Sequence, residues 1–532
     1  MRKGSLQSIF TFGSLTFLSR VLGLVRDVVI GVVFGPSAAT DAFFIAFKIP
    51  NFMRRLFAEG AFSQAFIPVL SEYRLQRSHA EVRQLVACTA STLGVALTLI
   101  ATLGVLGAPW VVTIFAPGFS DDSERFTLAV EMLRLTFPYL TLISLAACAG
   151  AVLNTYGSFG PPAFAPVLLN LSMIAAAFWL APRLEQGIVA LAFAVTAAGV
   201  LQLLMQLPFV ARYRLLGLAR PRWSDPGVRR ILRLMGPTLF GTSVQQINLL
   251  VDTILASFLM TGSISWLYWS DRLVEFPLGV IGVAVATVIL PRLSQEHADQ
   301  ARDSFSDTLD WALRLVLVLI LPASVGLALL AGPILATLFH YGAFTAEDVR
   351  LASLSLVAYS LGLMGFVLVK ILAPAYFARL DTVTPVKCAL AALVTNMILS
   401  TSAVLLLLHT RVGHAGLAFA TATAATVNAA LLYRGLRRRG VFQPRSGWRA
   451  LLRQTVLATL AMALVLYWPG KHTEFWLQAE LYQRVLMLGA VIAAGAGTYF
   501  AALWLGGLRL SSLREPPMAK RPGVAERSMG AL

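Results

Sequence analysis

The chain has 532 residues, of which 57% are hydrophobic and only 13% charged, with a mean hydropathy of +0.74 and a formal net charge of +17. A soluble protein carries about a quarter of its residues charged, so a water-soluble globular class is excluded. The apolar residues form long continuous runs, as over 356–369 and 456–465, rather than the alternation of barrel strands. Helices of about 20 residues are then the only way across a bilayer.

The first apolar stretch follows Met1-Arg2-Lys3, but Arg20 and Arg26 interrupt it and no small-residue cleavage site follows cleanly. It reads as a retained helix, not a signal peptide. In chain order the predicted spans are 9–34, 41–70, 84–115, 126–153, 164–182, 187–211, 230–259, 264–293, 309–339, 349–377, 385–409, 414–436, 449–469 and 484–506. The expected class is an all-α polytopic membrane protein of about fourteen transmembrane helices. Cys88, Cys148 and Cys388 lie in apolar stretches at spacings that suit neither a metal site nor a disulfide framework.

Lys and Arg accumulate in alternate connections. One set holds Arg2 and Lys3; Arg74, Arg77 and Arg83; Arg212 to Arg230; Arg434 to Arg445; and the tail from Arg509 to Arg527. The other set holds little beyond Arg125, Arg183, Arg350, Arg411 and Lys471. The positive-inside rule makes the basic set cytoplasmic, with both termini on that side. Placement in alternate loops explains these runs as topology rather than nucleic-acid binding, with anionic lipid contact as a second use.

The chain is internally duplicated. Gly107-Ala108-Pro109 with Thr113 and Phe115 recurs as Ala331-Gly332-Pro333 with Thr337 and Phe339, and Pro333 lies 224 residues after Pro109. Pro68-Val69-Leu70-Ser71 recurs as Pro291-Arg292-Leu293-Ser294, 223 residues on, and 156–166 echoes 376–385. Six spans separate the copies, so the two halves run parallel, an arrangement that places a substrate site between them near mid-membrane. The expected organisation is two parallel six-helix repeats, 1–220 and 221–440, then two additional spans within 441–510 and a basic tail, 511–532.

Charged residues inside spans point to the chemistry. A mid-membrane Arg costs at least about 2.5–3.5 kcal/mol and faces a partner or a wet cavity. The first span carries Ser19, Arg20, Arg26 and Asp27, with Arg20 and Asp27 on nearly one stripe; the second carries Asp41, Lys48, a Pro50-Asn51 break, Arg54, Arg55 and Glu59. At about 1.5 Å per residue, Arg20 and Arg54 meet near the membrane middle. The eighth span brings Asp271, Arg272 and Glu275, with Glu275 one turn from both. Plainer roles stand beside these: Asp41, after Thr40, as a helix N-cap, and Arg55 with Glu59 as an i, i+4 pair. Arg20, Arg26 and Arg272 have too few acids nearby to neutralise them, and an excess of guanidinium fits an anionic, phosphate-bearing ligand.

The stretches 19–27 (SRVLGLVRD), 39–44 (ATDAFF) and 47–66 (FKIPNFMRRLFAEGAFSQAF) resemble the start of the MurJ/MviN family, 269–277 (WSDRLVEFP) resembles its eighth helix, and 372–379 with 384–387 its tenth-to-eleventh connection. The resemblance spans essentially the whole chain. It implies a fold of the multidrug/oligosaccharidyl-lipid/polysaccharide exporter superfamily and a transporter rather than an enzyme. The implied activity moves lipid II, the undecaprenyl-pyrophosphate-linked peptidoglycan precursor, to the outer leaflet of the bacterial cytoplasmic membrane during cell wall biogenesis. It further implies that Arg20, Arg26 and Arg272 hold the pyrophosphate and that Arg54 extends the basic surface. Ser19, Asp27, Asp41 and Glu59 would be polar and gating partners, Asp271 and Glu275 would orient Arg272, and the last two spans would form a groove for the lipid tail. Some relatives have a sodium site in the second half; Asp252 and Asn396 fill part of it here, and Ser400 stands where a second acid is expected. Cofactors are none. Expected partners are lipid II, membrane lipids and the cell-wall synthesis machinery, with no nucleic acid, and the chain acts as a monomer.

Three other classes fit these residues less well. A multidrug or cation antiporter of the same superfamily needs acids for a cationic ligand, and these spans are net basic. A flippase for another polyprenyl-pyrophosphate-linked saccharide shares the chemistry but not the signature of the first seventy residues. A polyprenyl-phosphate transferase needs acidic metal ligands at the membrane face, and the paired Asp121-Asp122 read as a solvated loop beside Ser120 and Ser123.

Overall fold

The computed structural model describes residues 3–55, 62–217 and 219–508, the side chains of 3–12 and 237–245 excepted. The described elements are helices, with no strand among them. Two compact units emerge from close packing: 1–265 with 341–345, and 266–340 with 346–532.

The first unit holds α1 (Lys3–Phe34), α2 (Ala38–Arg54), α3 (Ser63–Gln76), α4 (His79–Leu106), α5 (Ala108–Phe115), α6 (Ser123–Thr136), α7 (Pro138–Thr155), α8 (Gly160–Ala175), α9 (Val189–Arg212) and α10 (Pro226–Ser257). Its boundaries follow local chemistry. Ser37 caps α2 by accepting from Thr40 N. Ser78 and Glu81 close a capping box on α4, and Asp225 caps α10, whose first residue is Pro226. α7 packs on α9, α1 on α8 and α2 on α6. Gly199 lets α9 approach Tyr139 and Leu142 of α7, where a Cβ would come within 2.8 Å of the tyrosine ring. Phe62, Phe66 and Leu70 join Leu85, Leu153 and Ile231 in a buried core.

The second unit begins inside α11 (Ser263–Pro277) and continues through α12 (Val283–Ala298), α13 (Arg302–Leu329), α14 (Ala331–Phe339), α15 (Ala346–Phe377), α16 (Val383–Leu407), α17 (Gly413–Arg438), α18 (Trp448–Lys471), α19 (Thr473–Gln478) and α20 (Leu481–Leu505). Gly362 and Gly365 of α15 face the α17 backbone so closely that a Cβ would sit 2.5 Å from Ala422 Cα and 2.7 Å from Thr426 N. α18 packs against α13 and α20; Val318, Leu451, Met462, Leu466, Tyr499 and Leu503 form their core, and Tyr499 OH donates to Val318 O at 2.6 Å.

Among the described residues eleven helices are long and apolar enough to cross a membrane. The other three expected spans, 9–34, 41–70 and 230–259, each include residues whose side chains or backbone lie outside the described set. The segments that recur in the sequence lie on elements of similar length. α4 and α13 are each 28 residues, and short helices of 8 and 9 residues follow them as α5 and α14. In both short helices the threonine closes the same bond, Thr113 Oγ1 to Pro109 O and Thr337 Oγ1 to Pro333 O. Packing divides the chain at 265/266, whereas the expected repeats divide it at 220/221, so α10, placed in the expected second half, lies in the first unit by contact.

Candidate functional site

α1 passes beside α8, and Arg26 turns toward that contact. Arg26 and Asp27 are both buried. Arg26 Nε and Nη2 donate to Asp27 Oδ1 at 2.9 and 2.6 Å, and Nη1 donates to Asn170 Oδ1 of α8 at 3.1 Å. Asn170 Nδ2 in turn donates to Ser19 O at 3.0 Å, across Gly23, whose missing side chain leaves room for the amide. Asp27 therefore pairs with the adjacent Arg26. Arg20 is exposed and makes no hydrogen bond or ion pair among the described residues. Sequence reasoning missed Asn170, a neutral residue 144 positions from its arginine, which carries no periodic signal.

On α2, Asp41 is not the helix's own cap; Ser37 fills that place. The Asp41 carboxylate is fully buried and reaches the start of α11, accepting from Gly262 N at 2.7 Å and from Ser265 N and Oγ at 2.9 and 2.6 Å. It caps a helix 221 residues away, where unpaired N–H groups and the positive helix end favour an anion. The break expected at Pro50-Asn51 does not occur, since α2 runs on to Arg54. Pro50 has no N–H for Ala46 O, and buried Thr136 Oγ1 of α6 supplies the donor instead at 2.9 Å. Asn51 Nδ2 holds Phe47 O at 2.8 Å, and Asn51 Oδ1 accepts from Arg54 Nε at 3.2 Å. Glu59 lies outside the described residues.

In the second unit Arg272, with a third of its side chain exposed, donates from Nη1 to Glu275 Oε2 at 2.7 Å. Its Nε and Nη2 face Tyr268 OH at 3.4 Å, and the guanidinium carbon sits 5.2 Å from the Tyr268 ring. Asp271 is exposed on the adjacent turn. Tyr268 was missed because an aromatic in an apolar helix resembles core. Lys370 was also missed: it is exposed on α15 without a hydrogen bond or ion pair among the described residues, and its signal was the one charge in the otherwise apolar stretch 351–377. Arg484 appeared to be a span boundary. It is buried and donates to the carbonyls of Ala336, His340, Leu477 and Ala479, satisfying the ends of α14 and α19.

Asp252 lies on α10 of the first unit and Asn396 on α16 of the second. Asn396 Oδ1 accepts from Ser400 Oγ, the hydroxyl that stands where an acid was expected, at 3.3 Å. Among the described residues no group of three or more His, Cys, Asp or Glu is placed to hold a metal ion.

Several arginines assigned to topology have a second task. Arg74 donates to Thr155 O at the end of α7 and lies 4.3 Å over Tyr156. Arg83 donates to Leu216 O beyond α9 at 3.0 Å, and Arg230 of α10 grips Glu72 of α3 with two 2.8 Å bonds.

The sequence model of the family described as "Lipid II flippase MurJ" matches residues 30–486. A "Probable lipid II flippase MurJ" of Vibrio cholerae is 47% identical over 519 residues, covering 96% of this chain and 98% of the relative. The "Lipid II flippase MurJ" of Burkholderia cenocepacia is 42% identical over 513 residues, with coverages of 96% and 98%. The solved structure "Lipid II flippase MurJ, inward closed conformation" superposes with a TM-score of 0.77 at 28% identity, covering 92% of this chain and 97% of that one. An inward-facing MATE-family transporter of the MOP superfamily shares the fold, with a TM-score of 0.63 at 14% identity over 81% of this chain and 97% of its own. By its family match and these near full-length identities, the chain belongs to the MurJ lipid II flippase family.

Proposed function

We propose that this protein moves lipid II from the inner to the outer leaflet of the bacterial cytoplasmic membrane by alternating access, with both termini in the cytoplasm. Family membership supports the substrate. The observation that carries the chemistry is Arg20, an exposed guanidinium on a membrane helix with no partner among the described residues. Such a charge is costly in a membrane unless a ligand or water meets it, and its planar fork matches phosphate oxygens.

On this reading Arg20 makes the first contact with pyrophosphate. Arg272 follows, since the exposed Glu275 can yield it to a stronger anion. Arg54 adds charge at the far end of α2. Arg26 contributes mainly through the field of its pair, because Asp27 and Asn170 already take three of its five N–H groups. Asp41 serves the gate by holding the first turn of α11. With the cell interior negative, each charge moving outward gains about 2.3 kcal/mol per 100 mV, so a dianionic pyrophosphate is driven outward and the emptied cationic site is drawn back. One chain suffices for this cycle, and an enzyme of the wall-synthesis machinery consumes the product.

The test is depletion of the protein in a cell with no other lipid II flippase, followed by measurement of lipid II at the outer leaflet. A fall restored by the parent chain but not by Arg20→Ala is expected. Unchanged outer-leaflet lipid II overturns the assignment.

A further inference from the structure

At one end of the first unit the described residues of the α9–α10 connection, 213–217 and 219–225, are fixed to their neighbours by backbone bonds. His79 Nε2 lies 3.1 Å from Tyr213 O, Arg83 Nε donates to Leu216 O at 3.0 Å, and Arg222 N donates to Thr92 Oγ1 at 3.2 Å. Leu215 is fully buried beneath it. The side chains this leaves outside are of one kind. Residues 212–233 hold seven arginines against one carboxylate, Asp225, and Asp225 Oδ1 is taken by the N–H groups of Gly227 and Val228. Arg230 is engaged by Glu72. Arg212, Arg214, Arg220, Arg222, Arg229 and Arg233 are exposed, and their guanidinium groups make no hydrogen bond or ion pair among the described residues. Among them stand Trp223, 53% exposed, and the exposed Leu216 and Leu232.

Positive-inside topology requires the charges but not this fixed setting or the apolar residues between them. An acidic soluble partner would be served by arginines alone. Exposed indole and leucine beside guanidinium, where two spans end, match the boundary between headgroups and acyl chains: Trp settles at headgroup level, and a basic cluster is drawn to anionic lipid. We propose that the α9–α10 connection is a binding site for the phosphodiester headgroups of anionic phospholipids in the adjacent leaflet, with Trp223 seated at their base.

The full-length protein is reconstituted in phosphatidylcholine bilayers with or without phosphatidylglycerol, each lipid brominated in turn, and tryptophan quenching is compared. Excess quenching by brominated phosphatidylglycerol at equal bromine density is expected. W223F should remove much of that excess while leaving every charge in place. The variant R212Q/R214Q/R220Q/R222Q should abolish it, with phosphatidylglycerol affinity falling roughly fivefold per arginine. Equal quenching by both lipids in the parent protein, or an excess indifferent to both variants, overturns the proposal. Reversal of the excess by dilute inorganic pyrophosphate also overturns it, because the site would then select free phosphate rather than a lipid headgroup.

Discussion

Arg20 and Arg26 stand on the same helix and differ in what surrounds them: Arg26 is enclosed by Asp27 and Asn170, whereas Arg20 has no partner among the described residues. Arg20→Ala is therefore expected to accumulate normally while losing lipid II binding by about tenfold or more, the order of one charge-assisted hydrogen bond. Arg20→Lys should recover part of this, since an ammonium keeps the charge but not the fork. Binding of purified variants to lipid II, with complementation of a depleted strain, measures both, and undiminished binding by Arg20→Ala would remove it from the site. Arg26→Ala should behave differently, because it leaves a buried carboxylate unpaired at a cost of about 3–5 kcal/mol. Its thermal midpoint in detergent should fall, and the double variant R26A/D27N should recover most of the loss; a double variant as unstable as R26A would mean that the pair is not what Arg26 stabilises. The arginines were legible in the sequence because charge in a membrane span is rare. Their neutral partners Asn170 and Tyr268 were not, because a polar residue facing inward looks like any other until the fold sets it beside its partner.

Single spans were expected over 84–115 and 309–339, whereas the helices break at Gly107 and Leu330, each before a proline-bearing short helix. Pro50 was misleading: the sequence marks a missing donor, but the replacement comes from Thr136 on α6, 90 residues beyond the acceptor Ala46. Thr136→Val keeps the shape and removes that donor, leaving Ala46 O buried and unsatisfied. A loss of about 1–3 kcal/mol is expected, read as a lower thermal midpoint with the helix content unchanged; an unaltered midpoint would show that α2 tolerates the gap. Between α15 and α16, Asp381 accepts from Thr384 N and Oγ1 and from Arg439 Nη1 at 2.9, 2.7 and 2.6 Å. Burial alone would raise its pKa, but the Thr384 bonds and the Arg439 guanidinium outweigh it and hold the carboxyl at about 2 against an ordinary 3.8. A depressed pKa stabilises the fold above the unfolded value and loses that contribution as pH falls through the folded one. Stability should therefore decline between about pH 4 and pH 2 in the parent, and the slope should flatten in Asp381→Asn. Parallel pH profiles for the two proteins would assign the acid sensitivity elsewhere.

Across the whole chain, the recurring segments are legible in the sequence because their punctuation is local, at offsets of 223 and 224 residues. The packing partition at 265/266 was not, because it depends on contacts such as Asp41 with the first turn of α11, which no spacing announces. Orientation rests on a third kind of information, the uneven distribution of Lys and Arg. The structure adds a constraint to it. Arg74, Arg83 and Arg230 are joined by hydrogen bonds to the ends of α7, α9 and α3, so the α3–α4 and α9–α10 connections gather at one end and must share one side of the membrane. Asp121 lies in the connection between α5 and α6, a helix away from that end along α4. In the second unit Arg437 closes α17 beside the loop where Arg439 pairs with Asp381. If the positive-inside rule governs insertion, a reporter fused at Asp121 reads periplasmic and one at Arg437 reads cytoplasmic. A phosphatase fusion and a fluorescent-protein fusion at each site, four strains in all, measure this without relying on transport. The reverse pattern at both sites would invert the chain in the membrane. The outward drive on the pyrophosphate would then lose its sign, and the α9–α10 arginines would face the outer leaflet.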